Sequence, residues 1–319
     1  MSFAGPPDRA EARLAPDAGF EFDPFRISGL PRRPSVAAAR SLLEAVGAAR
    51  ACAKILERRN AGVALGGGGY AGGPMAVAAW RRRIPAAVME ADAHLGLANR
   101  LALPFVRRVF LSFPISGREG AKYRVVGRPV RRVRVASAAD ARRLFSLPEA
   151  GPVLLVFGGS QGSQALNELA LDAFGGAGPA VLHLCGARYY DELRPRVGRA
   201  DYRLLGWTDD FGAALAASDL VVARAGGSVW ELAAAGKPAV LVPSPNVTAD
   251  HQTKNARYFA ERGGAVLVPE TELGSVPDLL RSLLDDERRR AEMAHAMLAL
   301  ARPGAADEIA EELIALARA

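Results

Sequence analysis

Short, mainly apolar runs recur along the chain, at 61–65, 86–89, 108–111, 123–126, 153–157, 181–185, 220–223 and 239–242, with Arg108, Arg124 and His183 as their polar members. They are continuous rather than alternating. That pattern suits strands of a parallel sheet covered on both faces. Segments of helix length, rich in Ala, Leu and Arg, separate them. Residues 34–58 are the longest of these before the middle of the chain, and Leu42, Leu43, Val46 and Ala49 mark one helical face. A βαβα order of this kind predicts an α/β fold. Residues 306–318 predict a closing amphipathic helix, introduced by Pro303 and Gly304.

Two stretches resemble each other. Residues 63–91 and 221–245 both read as strand, Gly-rich turn, Ala-rich helix, a basic residue near a proline, and a second strand ending on polar residues. Each half of the chain therefore carries a similar unit, and two α/β domains facing each other across a cleft are expected. An Arg-rich segment with Pro129, residues 128–134, marks the change between them. The expected domains are residues 1–130 and 131–302, with 303–319 packing back on the first.

Composition narrows the class. Half of the 319 residues are hydrophobic and 24% are charged, as in soluble globular proteins. Two cysteines, Cys52 and Cys185, exclude a disulfide framework. Four scattered histidines (His94, His183, His251, His295) offer no metal-ligand spacing, so no metal and no cofactor are expected. No apolar run approaches the length of a membrane span, and no signal-peptide pattern opens the chain. The net charge of +7 is spread out with little aromatic interleaving, which argues against nucleic acid as a partner.

Chemistry concentrates at three strand–glycine–helix junctions: residues 66–73, 158–163 (GGSQGS) and 224–231 (RAGGSVWE). Glycine permits positive φ and close backbone approach. A helix start supplies unpaired N–H groups, so such junctions can cradle phosphate. The first formally matches a dinucleotide fingerprint through Gly67, Gly69 and Gly72, with Glu90 beyond it, but four consecutive glycines match many spacings by chance. The second adds the side chains of Ser160 and Gln161. In the third, Ser228 either caps the helix or meets phosphate, and Glu231 one turn on either accepts ribose hydroxyls or is solvated. Gln252 and Asn255, at i and i+3 on a helix, place two amides side by side. That arrangement suits sugar hydroxyls or a plain solvated face.

In order and spacing, GGGGYAGGP, EADAHLGLANR, GRPVR, GGSQGS, RAGGSVWELAAAGKP and DHQTKNA resemble the MurG family of bacterial peptidoglycan glycosyltransferases, glycosyltransferase family 28. The resemblance implies the GT-B fold, two Rossmann-like domains with the active site between them. It also implies inverting transfer of N-acetylglucosamine from UDP-GlcNAc to lipid I, giving lipid II, at the cytoplasmic face of the cell membrane. By resemblance, Ser160, Gln161, Arg224, Gly226, Gly227 and Ser228 belong to the diphosphate site and Glu231 holds the uridine ribose. Trp207 and Thr208 meet the uracil, Gln252 and Asn255 lie near the GlcNAc hydroxyls, and Arg131 is the hinge arginine. Tyr70, Glu90 and Asn99 match acceptor-side or cleft positions.

The chain also departs from the family. Met89 and Asp92 stand where the family carries His and Asn, and Arg128 replaces the hinge Asn. The sequence starts at what resembles the family's second strand. The first domain is therefore expected to lack its first strand–loop–helix unit, whose loop carries the usual general base. Glu90 and Tyr70 are the remaining cleft candidates for that role. The alternatives are another GT-B glycosyltransferase using a UDP-sugar, or an inactive nucleotide-sugar-binding remnant. Trp80 beside Arg81, Arg82 and Arg83 suits a surface of anionic lipids, or a solvated basic helix end.

Overall fold

The computed structural model describes residues 1–28, 36–131 and 137–319, with 36–43 described in backbone only. The chain divides into two compact units, Met1–Val126 with Ala305–Ala319, and Gly127–Gly304. The Arg-rich segment at the change between halves lies partly outside the described residues, at 132–136.

The first unit runs β1 (Ser2–Gly5), α1 (Glu11–Asp17), β2 (Glu21–Pro24), α2 (Val36–Arg58), β3 (Ala64–Gly66), α3 (Gly69–Arg81), β4 (Ala86–Glu90), α4 (Leu97–Ala102), β5 (Arg108–Leu111) and β6 (Tyr123–Val125). Its strands form two parallel sheets, β1–β2 and β3–β4–β5–β6. β1 and β3 each have a strand neighbour on one side. The apolar face of α2 (Ala48, Cys52, Ile55, Leu56) packs with Val88, Val109 and Leu111 of the larger sheet and with Phe25 just after β2. One core thus joins both sheets. Buried Asp23 at the end of β2 accepts from Arg59 just beyond α2, at 2.8 Å, and this pairing holds its carboxyl below the usual carboxylate range. The run at 61–65 yields only the three-residue β3, because residues 59–62 turn out of α2.

The second unit runs α5 (Ala138–Leu144), β7 (Val153–Phe157), α6 (Gln164–Phe174), β8 (Ala180–Leu184), α7 (Tyr190–Leu193), β9 (Tyr202–Leu205), α8 (Phe211–Ala217), β10 (Leu220–Ala223), α9 (Val229–Ala234), β11 (Ala239–Leu241), α10 (His251–Ala260), β12 (Ala265–Leu267), α11 (Val276–Asp285) and α12 (Glu287–Leu300). Its six parallel strands lie in the order β12–β11–β10–β7–β8–β9. Every residue of β7, β8, β10 and β11 is buried, which is why their sequences read as apolar runs, broken only by His183 in β8. β9 and β12 are the edges. They are only partly buried; Arg203 interrupts the sequence of β9, whereas β12 is a short apolar run of three residues.

α13 (Ala305–Arg318) closes the chain on the first unit. Ile309 and Leu316 pack on Ala87, Phe110 and Val126, and Glu312 accepts from Arg108 (2.9 Å) and Arg124 (3.3 Å).

Candidate active site

In the second unit the strand order reverses between β7 and β10. Strands to one side continue through β8 and β9, those to the other through β11 and β12. In an open parallel sheet such a reversal splays the loops at the carboxyl ends and opens a crevice for ligand. A cavity of about 630 Å³ opens there, lined by both ends of the 158–163 loop, the first turn of α6, Arg224, Ser244, Gln252 and Glu270.

The 158–163 loop is held by close backbone packing. Gly162 has φ +70°, and a Cβ on it would lie 2.0 Å from the carbonyl oxygen of Cys185. Gly158 likewise has no room for a side chain, since its Cβ would meet the backbone N of Ser163 at 2.4 Å. Ser163 then starts α6. Its Oγ accepts from the Leu166 N–H at 3.4 Å and from Arg224 Nε at 3.0 Å. Ser160 and Gln161 form the exposed tip of the loop. Gln164 and Ala165 of the first turn of α6 line the cavity, and the unpaired N–H groups and partial positive charge of a helix start favour an anion.

Behind this loop lies a buried polar chain. His183 on β8 meets the Tyr202 hydroxyl through Nδ1 (2.8 Å) and Asn167 Oδ1 through Nε2 (3.0 Å), and Asn167 Nδ2 donates to the Cys185 carbonyl (3.1 Å). The amide oxygen accepts, so Nε2 carries the proton and the tyrosine hydroxyl donates to Nδ1. Burial pushes the His183 pKa down to about 3, which keeps the ring neutral. The chain ties α6 to the same carbonyl that pins Gly162.

Arg224 is nearly buried in the cavity wall. Besides Ser163, it donates through Nη1 to the carbonyls of Val242 (3.2 Å) and Pro243 (3.1 Å) and pairs through Nη2 with Glu270. It fastens three loops together. Gly226 and Gly227 follow, and the Arg128 guanidinium lies against Gly227, where a Cβ would meet Nη1 at 2.4 Å. Ser228 starts α9 without a side-chain capping bond. Half-buried Glu231 lies on α9. Burial raises the pKa of its carboxyl, and the nearby charge of Arg128 lowers it in part.

Before α10, Ala249 and Asp250 both take left-handed backbone (φ +54° and +50°). Such backbone is strained for residues with a side chain, by about 1 kcal/mol or more each. The turn brings Gln252 to the cavity, where its Oε1 accepts from the Ser244 N–H at 2.8 Å. Asn255 lies one turn further along α10. It is fully buried and donates to the Ala225 carbonyl at 3.1 Å, steadying the 224–228 loop. Trp207 is 58% exposed, with Nε1 donating to Asp209 at 3.4 Å, and the Thr208 hydroxyl accepts from the Asp210 N–H. Neither lines the cavity. Arg131 is exposed, at the edge of the undescribed 132–136.

In the first unit Glu90 and Asn99 do come together. Glu90, at the end of β4, accepts from Gly96 N (2.8 Å), Asn99 Nδ2 (2.9 Å) and Asp92 N (3.3 Å). Asn99 also reaches the Met89 carbonyl (3.0 Å). Both are buried, and together they fold the 90–99 loop. A carboxylate occupied in this way is not a ribose acceptor for the 66–73 loop, so the dinucleotide pattern there has no partner acid. Tyr70, on α3, accepts from Arg9 at 2.9 Å.

Three residues that matter here, all lining the cavity, were not singled out from sequence: Ser163, Arg188 and Glu270. Ser163 carried a signal, a serine directly before a helix. The others depend on contacts between distant segments.

The two halves match the models of the glycosyltransferase family 28 N-terminal domain (residues 3–111) and C-terminal domain (residues 153–309). A Salinibacter ruber protein named UDP-N-acetylglucosamine--N-acetylmuramyl-(pentapeptide) pyrophosphoryl-undecaprenol N-acetylglucosamine transferase is 42% identical, over 99% of this chain and 88% of that protein. A protein of the same name from Halorhodospira halophila is 39% identical over 94% and 86%. Among solved structures, MurG of Acinetobacter baumannii superposes with a TM-score of 0.78 at 25% identity, covering 98% of this chain and 90% of that one.

Proposed function

The chain belongs to glycosyltransferase family 28, and from that premise we propose that it transfers N-acetylglucosamine from UDP-GlcNAc to lipid I, the undecaprenyl-pyrophosphoryl N-acetylmuramyl pentapeptide, to form lipid II. The observation that carries this reading is the match of both domains to the family, with relatives about 40% identical along nearly the whole chain that bear this activity in their names.

The second unit is the donor side. The leaving group is a nucleoside diphosphate, and negative charge develops on it as the sugar bond breaks. Stabilising that charge falls to the helix start of α6 and the backbone of the 158–163 loop, both of which line the cavity. Donors fixed in advance stabilise a transition state without reorganising. Glu231 accepts from the ribose hydroxyls, with Arg128 beside it favouring the charged form. Gln252, at the cavity wall, turns its amide N–H₂ toward the sugar, because its oxygen is already engaged by Ser244. Trp207 and Thr208 are assigned to the uracil by family resemblance, and Asn255 acts on the loop rather than on the sugar. The acceptor hydroxyl attacks C1 from the face opposite the diphosphate, inverting the centre. Glu90 and Asn99 shape the acceptor loop; Glu90 is not free to serve as the base.

The first unit is the membrane side. Trp80, Leu97 and Leu101 are each more than half exposed, and Trp80 stacks edge-to-face on Phe105 (ring centroids 5.4 Å). Arg81, Arg83, Arg100 and Arg107 are exposed around them, and Arg82 pairs with Glu57. An apolar patch ringed by cations suits the headgroup region of an anionic bilayer, here the cytoplasmic face of the cell membrane. Among the described residues no helix is long and apolar enough to cross a membrane.

Titration calorimetry with UDP-GlcNAc tests the donor half. The expected result is one site per chain with UDP competing. A protein that binds neither compound is not a UDP-sugar enzyme.

A further inference from the structure

Four charged side chains line the cavity of the second unit: Glu168, Arg188, Arg224 and Glu270. Three of them are neutralised by partners. Glu168 pairs with Arg196, which lies outside the cavity lining, at 2.7 Å. Arg224 pairs with Glu270, and its other donors hold Ser163, Val242 and Pro243. For Arg224 to turn toward a ligand it would have to abandon a carboxylate and release three loops, leaving buried acceptors unpaired.

Arg188 differs on every count. It is exposed, and among the described residues no carboxylate pairs with it. It sits in the short turn between β8 and α7, its guanidinium 4.5 Å from the Tyr189 ring centroid and its Nη2 donating to the Tyr189 hydroxyl at 2.7 Å. Tyr189 in turn abuts the 158–163 loop, since a Cβ on Gly162 would lie 3.0 Å from Cδ2 of the ring. Gly186, at φ +92°, brings this turn into backbone contact with Gly162. The cation is therefore presented beside the 158–163 loop, whose Gly158, Gly162 and Ser163 line the same cavity. It rests on an aromatic platform, and most of its donors remain open.

We infer that Arg188 is the side-chain cation that binds the donor diphosphate, and that Arg224 with Glu270 forms a charge-neutral scaffold positioning the loops around it. The inference rests on the nucleotide-sugar reading of the cavity. A guanidinium matches phosphate oxygens with two parallel donors, which a lysine ammonium cannot do.

The test compares the affinities of UDP and of uridine, by calorimetry, for the parent protein, R188Q and R188K. The ratio of the two affinities isolates the diphosphate contribution from the nucleoside and from overall folding. The expected result is a ratio reduced at least tenfold in R188Q and partly restored in R188K, with uridine affinity unchanged. An unchanged ratio in R188Q, with the parent binding UDP normally, overturns this assignment and leaves the nucleotide-sugar reading standing. A parent that binds no UDP overturns both.

Discussion

At the scale of single residues, the site is governed by which polar groups are already occupied. Ser160, Gln161, Ser228, Gln252 and Asn255 all read from sequence as ligand contacts, and the local sequence around each is similar in kind. Their neighbours in space separate them. Asn255 is fully buried against Ala225, Gln252 is at the cavity with one end engaged, and Ser228 makes no cap. Glu231 carries the clearest consequence. A ribose-binding carboxylate must be ionised to accept from both hydroxyls, and burial raises its pKa. Uridine affinity therefore falls as pH drops through that raised value. E231Q should bind uridine roughly 10- to 100-fold more weakly, the usual size of a hydrogen bond to a charged group, and show no such pH dependence. Uridine titrations of the parent and E231Q between about pH 4 and 7, where carboxyls and histidines change charge, check this, since the difference between the two isolates Glu231. Equal affinity of E231Q and the parent would remove Glu231 from the ribose site.

At the scale of elements, the apolar runs located the buried strands well. The runs at 108–111, 153–157 and 220–223 are strands with those same limits. The edge strands β9 and β12 escaped, β9 because Arg203 interrupts its sequence and β12 because it is only three residues long. The paired Gly-rich units were legible as strand, turn and helix, since glycine and proline act locally. Arg128 against Gly227, Glu270 on Arg224 and the His183–Tyr202–Asn167 chain were not, because their partners are tens of residues away and no local pattern links them. The exposed patch on α3 and α4 was half legible. Trp80 and the arginines after it stand together in sequence, whereas Leu97, Leu101 and Phe105 reach them only through the fold. If the patch meets anionic lipid, replacing Arg81 and Arg83 by glutamine removes two charges worth about 1 kcal/mol each at such a surface. Sedimentation with phosphatidylglycerol-rich vesicles should then show binding weaker by roughly 30-fold, with the parent's binding also falling as salt rises. Unchanged vesicle binding by this variant would dismiss the patch.

At the scale of the whole molecule, each unit places its chemistry-bearing loops at the carboxyl ends of parallel strands, the usual site of function in α/β proteins. In the second unit these are the 158–163 and 224–228 loops and the turn before α10. In the first they are the 66–73 loop and the 90–99 loop folded around Glu90. Division of labour between donor and acceptor follows from this duplication, and it was foreshadowed by the likeness of residues 63–91 to 221–245. The activity requires both. The most direct measurement incubates the protein with labelled UDP-GlcNAc and lipid I in detergent or vesicles and follows label into the lipid fraction. The account predicts formation of labelled lipid II with release of UDP, dependent on lipid I. Binding of UDP-GlcNAc without any transfer of label to lipid I would contradict it.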